Sequence, residues 1–180
     1  MARMFQSLGA KVTVVLGPIS LPVPPKIKII PVETALHMSH HVKKHLPRCD
    51  AFIAAAAVSD WRFKKQFSRK MKKKSSSRMS VTLVPNPDIL MEAGQWKRRT
   101  KNHKPVLVGF ALETDHLARA AKKKLIQKNC DLIIGNTPDT FSGSLIKPLW
   151  VEPGKPPRSG RSVSKQRFAE ELAGWLEEAL

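Results

Sequence analysis

Apolar positions along this chain fall into two rhythms. Short runs of Val, Ile, Leu and Ala alternate with longer stretches in which apolar residues recur every three or four positions. That alternation is the pattern of βαβ units around a mostly parallel sheet. Lys11 to Leu16 (KVTVVL) predicts a first strand, closed by Gly17-Pro18. Lys26 to Val32 predicts a second, after the proline-rich connector Leu21 to Pro25. Glu33 to Leu46 then reads as a helix with Thr34 as its N-cap. Asp50 to Val58 (DAFIAAAAV) is apolar on both faces, as a buried central parallel strand is.

Between residues 59 and 80 the rhythm stops. Ser59 to Ser80 is polar and heavily basic (KKQFSRKMKKKSSSR), which predicts a flap or loop. Val81 to Val84 suits a short strand, and Pro87 opens a helix running to about Trp96, since proline is tolerated in a first helical turn. Pro105 to Ala111 predicts another buried strand, Asp115 to Lys128 a helix, and Asp131 to Ile134 a strand leading into Gly135-Asn136. Residues 136–161 are rich in Gly, Pro and Ser and predict an irregular loop region, with Leu149 to Val151 as an edge strand. Ser164 to Leu180 closes the chain as an amphipathic helix. The whole, 1–180, reads as one domain.

Composition narrows the class. With 180 residues, 42% of them hydrophobic and 26% charged, the chain can enclose one ordinary core and is not a disordered tail. No apolar run reaches the roughly 20 residues that span a bilayer. The N-terminus MARMFQSLGAK lacks a signal-peptide core, so a cytoplasmic protein is expected. Cys49 and Cys130 lie far apart without metal-type spacing and read as reduced thiols. The formal net charge of +18 is the unusual quantity, and such a surface attracts polyanions: nucleic acid, anionic lipid or phosphorylated small molecules.

Candidate chemistry lies where an open α/β sheet binds ligands, beyond the carboxyl ends of its strands. Three polar groups fall there: Val58-Ser59-Asp60-Trp61, Phe110 to Thr114 (FALET), and Gly135-Asn136-Thr137. Taken singly, each is also ordinary turn and cap chemistry. His37, His41 and His45 recur at i, i+4 and i+8, but no carboxylate or cysteine completes a ligand set, so they read as incidental. Trp61, Trp96, Trp150 and Trp175 are scattered and form no stacking array for single strands.

Taken together, the segments resemble a family. AAAAVSDW at Ala54 to Trp61 looks like the alanine-rich strand and Asp turn of phosphopantothenate–cysteine ligases. Lys70, ten residues beyond Asp60, is similar to that family's flap lysine. Asn86-Pro87-Asp88-Ile89-Leu90 matches its N-P-D-I-L segment, and Val108 to Thr114 (VGFALET) its G-F-A-x-E-T strand end. Lys124-Leu125, Lys128, Asp131 and Asn136 follow its K-L-x-x-K-x-x-D…N pattern, and Gly9 to Thr13 with Gly17-Pro18 fits its second strand.

The resemblance implies a Rossmann-like three-layer α/β/α fold with a mostly parallel sheet, lacking the family's first strand and glycine-rich turn. It also implies a ligase of coenzyme A biosynthesis. A nucleoside triphosphate, CTP by the bacterial-type N-P-D-I-L segment or else ATP, activates the carboxylate of 4′-phosphopantothenate with Mg²⁺ on the triphosphate. Cysteine then attacks the acyl-nucleotide to give 4′-phosphopantothenoylcysteine. By the same resemblance, Ala54, Ala55, Ala56, Ala57, Asp60, Pro87, Asp88, Ile89, Leu90, Phe110, Lys124 and Lys128 bind nucleotide. Ala57 and Asn136 face the substrate, Asp60 holds Mg²⁺, and Lys70 is catalytic from the flap. A homodimer with no membrane contact is implied.

The residue types suit these roles. Small side chains at Ala54 to Ala57 admit a base against backbone, and a carboxylate suits a hard cation. The start of a helix at Pro87 to Leu90 presents free N–H groups to anions. Lys124 and Lys128 share a helix face, and Phe110 offers a flat apolar wall.

Three departures stand out. Phe63 replaces the family's proline after Trp61-Arg62, and Gly143 to Lys147 lacks its Asn. The strand, glycine-rich turn and N-x-S-S-G-K-M-G stretch that open the family have no counterpart here. The expectation is a chain of marginal stability, feeble or inactive alone, and an upstream extension of roughly forty residues should raise its melting point. Two alternatives compete with an active ligase: a catalytically degenerate relative, and a basic nucleic-acid-binding module that explains the charge but not the motifs.

Overall fold

The computed structural model of this chain describes residues 1–19, 25–65, 69, 78–100, 104–138 and 143–180. Its first half carries α1 (Ala2–Ser7), β1 (Thr13–Leu16), β2 (Lys28–Pro31), α2 (Ala35–His45), β3 (Ala51–Ala54), β4 (Trp61–Phe63) and β5 (Leu83–Pro85). The second half carries α3 (Ile89–Thr100), β6 (Val106–Leu112), α4 (Leu117–Gln127), β7 (Leu132–Asn136), β8 (Leu145–Ile146), β9 (Leu149–Val151), β10 (Arg158–Ser159), β11 (Val163–Ser164) and α5 (Lys165–Ala179).

The main sheet has five strands in the order β10-β9-β7-β6-β3. β3, β6 and β7 run parallel, whereas β9 and β10 are antiparallel additions. Side chains alternate across a strand, so β6 and β7 feed two core layers. Leu107 and Ile133 point with Leu90, Ala121 and Leu125 of α3 and α4. Val106, Val108, Leu132 and Ile134 point the other way, onto Phe168, Leu172 and Leu176 of α5. Helices on both faces of a mostly parallel sheet make the three-layer α/β/α fold expected from the sequence. β1 and β2 form a separate two-stranded parallel sheet.

The helix ends follow the capping residues. Thr34 Oγ1 accepts the His37 N–H at 3.1 Å, and Ser164 Oγ accepts the Arg167 N–H at 3.1 Å. Both thiols are free. Burial and the neighbouring Asp50 push Cys49 up to about 11, while burial and Asp131 push Cys130 up to about 12.

Four expectations change. The strand read over Asp50 to Val58 ends at Ala54, opposite Gly109, and Ala55, Ala56 and Ala57 are exposed. It is also not central: β3 is the last strand of its sheet and its four residues are only half-buried. Leu149 to Val151 is not an edge, because β10 pairs outside it; Arg158 lies over the Trp150 ring, 5.1 Å from its centre. The flap span 59–80 begins with an ordered strand: β4 pairs antiparallel with β5, Trp61 opposite Pro85 and Phe63 opposite Leu83. At the chain's start α1 packs on α5, and Phe5 joins that core layer.

Candidate functional site

The carboxyl ends of β3, β6 and β7 all lie on one edge of the parallel sheet, and the sequence-predicted residues gather there. β6 and β7 finish together, Leu112 opposite Asn136, and the Glu113 N–H donates to the Asn136 carbonyl at 3.2 Å. Beyond β3 the chain turns through Ala55 to Asp60, and Asn86 ties that turn to the start of α3. Its side-chain N–H donates to the Ser59 carbonyl and its backbone N–H to the Asp60 carbonyl, both at 2.8 Å. Arg62 donates to the Pro85 carbonyl and the Asn86 amide oxygen, closing the same knot. Nothing assigned a role to Asn86 or Arg62 beforehand, although an Asn before Pro-Asp is a turn signal that could have flagged one. Asp60 itself is exposed.

Asp88 caps α3, its Oδ1 accepting the Met91 N–H at 3.0 Å. This fixes the helix N-terminus beside the Asn86 knot, with unpaired N–H groups of its first turn available to an anion. Leu90 is buried beneath it and serves packing. Gly109 is what admits it: a Cβ there would meet Leu90 Cδ2 at 2.5 Å and Ile133 Cδ1 at 2.8 Å.

The lysines arrive from α4. Side chains on a helix lean toward its N-terminus, which here carries those near its last turn up toward the strand ends. Lys124 donates to the Phe110 carbonyl. Lys128, at the C-cap, reaches Asp88 Oδ2 at 2.7 Å. The backbones touch as well, since a Cβ on Gly94 of α3 would lie 1.9 Å from the Lys128 carbonyl oxygen. Lys124 and Lys128 are therefore engaged within the protein, not two free ammonium groups as their spacing suggested. Burial and the charge of Lys128 push the Lys124 ammonium below its usual value, against the pull of Asp88 and Glu113. For Asp88, burial pushes upward, but the Lys128 hydrogen bond, the Met91 N–H and the charges of Lys128 and Lys124 outweigh it and leave the carboxyl below its usual range.

Phe110 is half-buried, its ring edge-on to Phe168 at 6.3 Å and packed with the α5 layer. Ile89, Pro87 and Asn136 are half-buried at the site's rim. Lys70 and most of its flap lie outside the described residues. No group of three His, Cys, Asp or Glu residues that could hold a metal ion forms among the described residues, and His45 Nδ1 lies 2.8 Å from the His41 carbonyl. One exposed carboxylate, Asp60, suits Mg²⁺ that arrives on a polyphosphate, because that ion keeps waters and phosphate oxygens as its other ligands. No described helix is long and apolar enough to cross a membrane.

Known proteins resemble this chain in sequence and in fold. Residues 1–179 match the family model of the DNA/pantothenate metabolism flavoprotein C-terminal domain. The Escherichia coli K12 coenzyme A biosynthesis bifunctional protein CoaBC is 40% identical over 130 residues, covering 71% of this chain and 31% of its own. The chain thus spans about a third of that relative's length. A crystal structure of a CoaBC C-terminal domain superposes with a TM-score of 0.80 at 29% identity, covering 98% of this chain and 78% of that one. A Cab2 mutant in complex with phosphopantothenate-cysteine shares the fold, with a TM-score of 0.65 at 20% identity over 86% of this chain and 54% of that one.

Proposed function

This chain belongs to the DNA/pantothenate metabolism flavoprotein C-terminal domain family, and from that premise we propose that it is a CTP-dependent phosphopantothenate–cysteine ligase. The family membership expected from AAAAVSDW, NPDIL and GFALET holds, and it supports ligase chemistry of coenzyme A biosynthesis as the activity proposed here. The substrates, the nucleotide and the assembly are the proposal. One observation carries it: Asn86 lashes the small-residue turn after β3 to the capped N-terminus of α3, directly above the lysines of α4.

That arrangement suits a nucleoside triphosphate. Ala55 to Ala57 are small and exposed, so a base can lie against the chain there, although the Ala55 N–H already donates to the Ile53 carbonyl and the Ala56 carbonyl accepts the Val58 N–H. The α3 N-terminus, Lys124 and Lys128 supply positive potential for phosphates. Asp60 offers a carboxylate to the Mg²⁺ that the triphosphate brings. The 4′-phosphopantothenate carboxylate attacks the α-phosphorus and pyrophosphate leaves; the cysteine amine then attacks the acyl carbon and CMP leaves. Lys70 from the flap meets the charge that develops in these steps, and Asn136 borders the acyl group. One face of the β4–β5 ribbon supports a homodimer: Trp61, Phe63 and Leu83 are exposed large apolar residues on it, the kind of patch that marks a protein interface.

The test is pyrophosphate release that requires CTP, 4′-phosphopantothenate and cysteine together, with ATP as the comparison nucleotide. Release only with all three supports the reading. CTP binding without release points to a degenerate relative, and no binding of either nucleotide overturns the assignment.

A further inference from the structure

Asp88 sits in an odd position for a polyanion site, because it places a negative charge among the cations meant for the ligand. Both of its oxygens are engaged, Oδ1 on the α3 backbone and Oδ2 on Lys128. The Lys128 side chain is only 20% exposed, and an ammonium in such a place needs an anionic partner. Lys124, its neighbour, is already committed to the Phe110 carbonyl.

This inference rests on the nucleotide reading above. We propose that Asp88 is a built-in competitor anion: it holds Lys128 while the site is empty, and an arriving polyphosphate must displace it. The exchange is geometrically cheap. The Met91 N–H anchors the carboxylate to its helix, so Asp88 stays and the flexible lysine stem swings from one anion to another. Net affinity then reflects the difference between two ion pairs, which holds a highly charged ligand moderately and lets a polyphosphate product depart.

Asp88→Asn separates the two jobs of this side chain, since Asn caps a helix as well as Asp but carries no charge. Calorimetry with inorganic tripolyphosphate and with CTP is run on the wild type, Asp88→Asn, Lys128→Met and the double variant, with urea melts to verify folding. The expected result is tripolyphosphate binding about fivefold tighter to Asp88→Asn than to the wild type. In the Lys128→Met background the same change should have no effect, because the competition runs through that ammonium. Equal or weaker binding by Asp88→Asn overturns the proposal. So does tightening that persists without Lys128, which would be a field effect alone, and so does an absence of tripolyphosphate heat in all four proteins. If CTP gives no heat while tripolyphosphate follows the expected cycle, the nucleotide assignment fails and the competitor role of Asp88 stands.

Discussion

Two strands of this molecule have nearly the same hydrophobic signature and opposite surroundings. β6 reads VLVGFAL, and Leu107 and Val108 are fully buried; β3 reads AFIA, and all four of its residues are half-buried. The difference lies in neighbours. β6 has β3 on one side and β7 on the other, with α3 and α4 on one face and α5 on the opposite one. Among the described residues β3 pairs with β6 alone and ends its sheet, while β1 pairs only with β2 in a sheet of its own. An apolar run therefore states which residues favour burial; the second ladder partner decides whether they achieve it.

The sharpest way to break this comparison is to delete methyl groups on both sides of it. Leu107→Ala should cost about 3 kcal/mol, because its cavity is closed on every side, whereas Val14→Ala in half-buried β1 should cost under about 1 kcal/mol. Urea unfolding of the two variants measures this, and equal losses would mean that both regions are packed alike. A smaller contrast comes from adding a methyl. Gly94→Ala drives a carbon into the Lys128 carbonyl and should cost about 2 kcal/mol, while Gly17→Ala meets nothing nearer than Met38 Cε at 3.8 Å and should stay within about 0.5 kcal/mol.

The smallest effect is electrostatic. Asp88 is depressed in the folded state, so its contribution is complete above the unfolded carboxylate value near 3.9 and is lost as pH falls through the lower folded value. With its side chain 45% exposed, solvent screening leaves about 0.5 kcal/mol. The stability gap between wild type and Asp88→Asn should be present at pH 7 and close progressively in acid below about pH 4. A gap unchanged down to pH 2 would assign it to the cap and not to Lys128.

The sequence made α2 and α5 legible because capping residues and apolar spacing agree, as Thr34 and Ser164 illustrate, and α4 by apolar spacing alone, since His116 at its start caps nothing. β6 was equally plain. The end of β3 was not, since Ala55 to Ala57 are apolar by type but too small to compel burial, and the ladder stops opposite Gly109. The β4–β5 ribbon was hidden because basic charge dominates 59–80, while its pairing joins positions as far apart as Trp61 and Pro85. At the site, local motifs marked Asp60, Pro87 to Leu90, Lys124 and Lys128. What they could not convey was the cross-chain wiring: Asn86 to Ser59, Lys128 to Asp88, and Lys124 to a backbone carbonyl.

Gly94 has a reach beyond its own helix. Because it lets α3 rest directly on the Lys128 carbonyl, the middle of one rod is seated against the end of the other, and tilting one must drag the other. A residue with no side chain, remote from any ligand atom, thereby sets how far apart the dipolar tip of one rod and the cationic fringe of its companion are held.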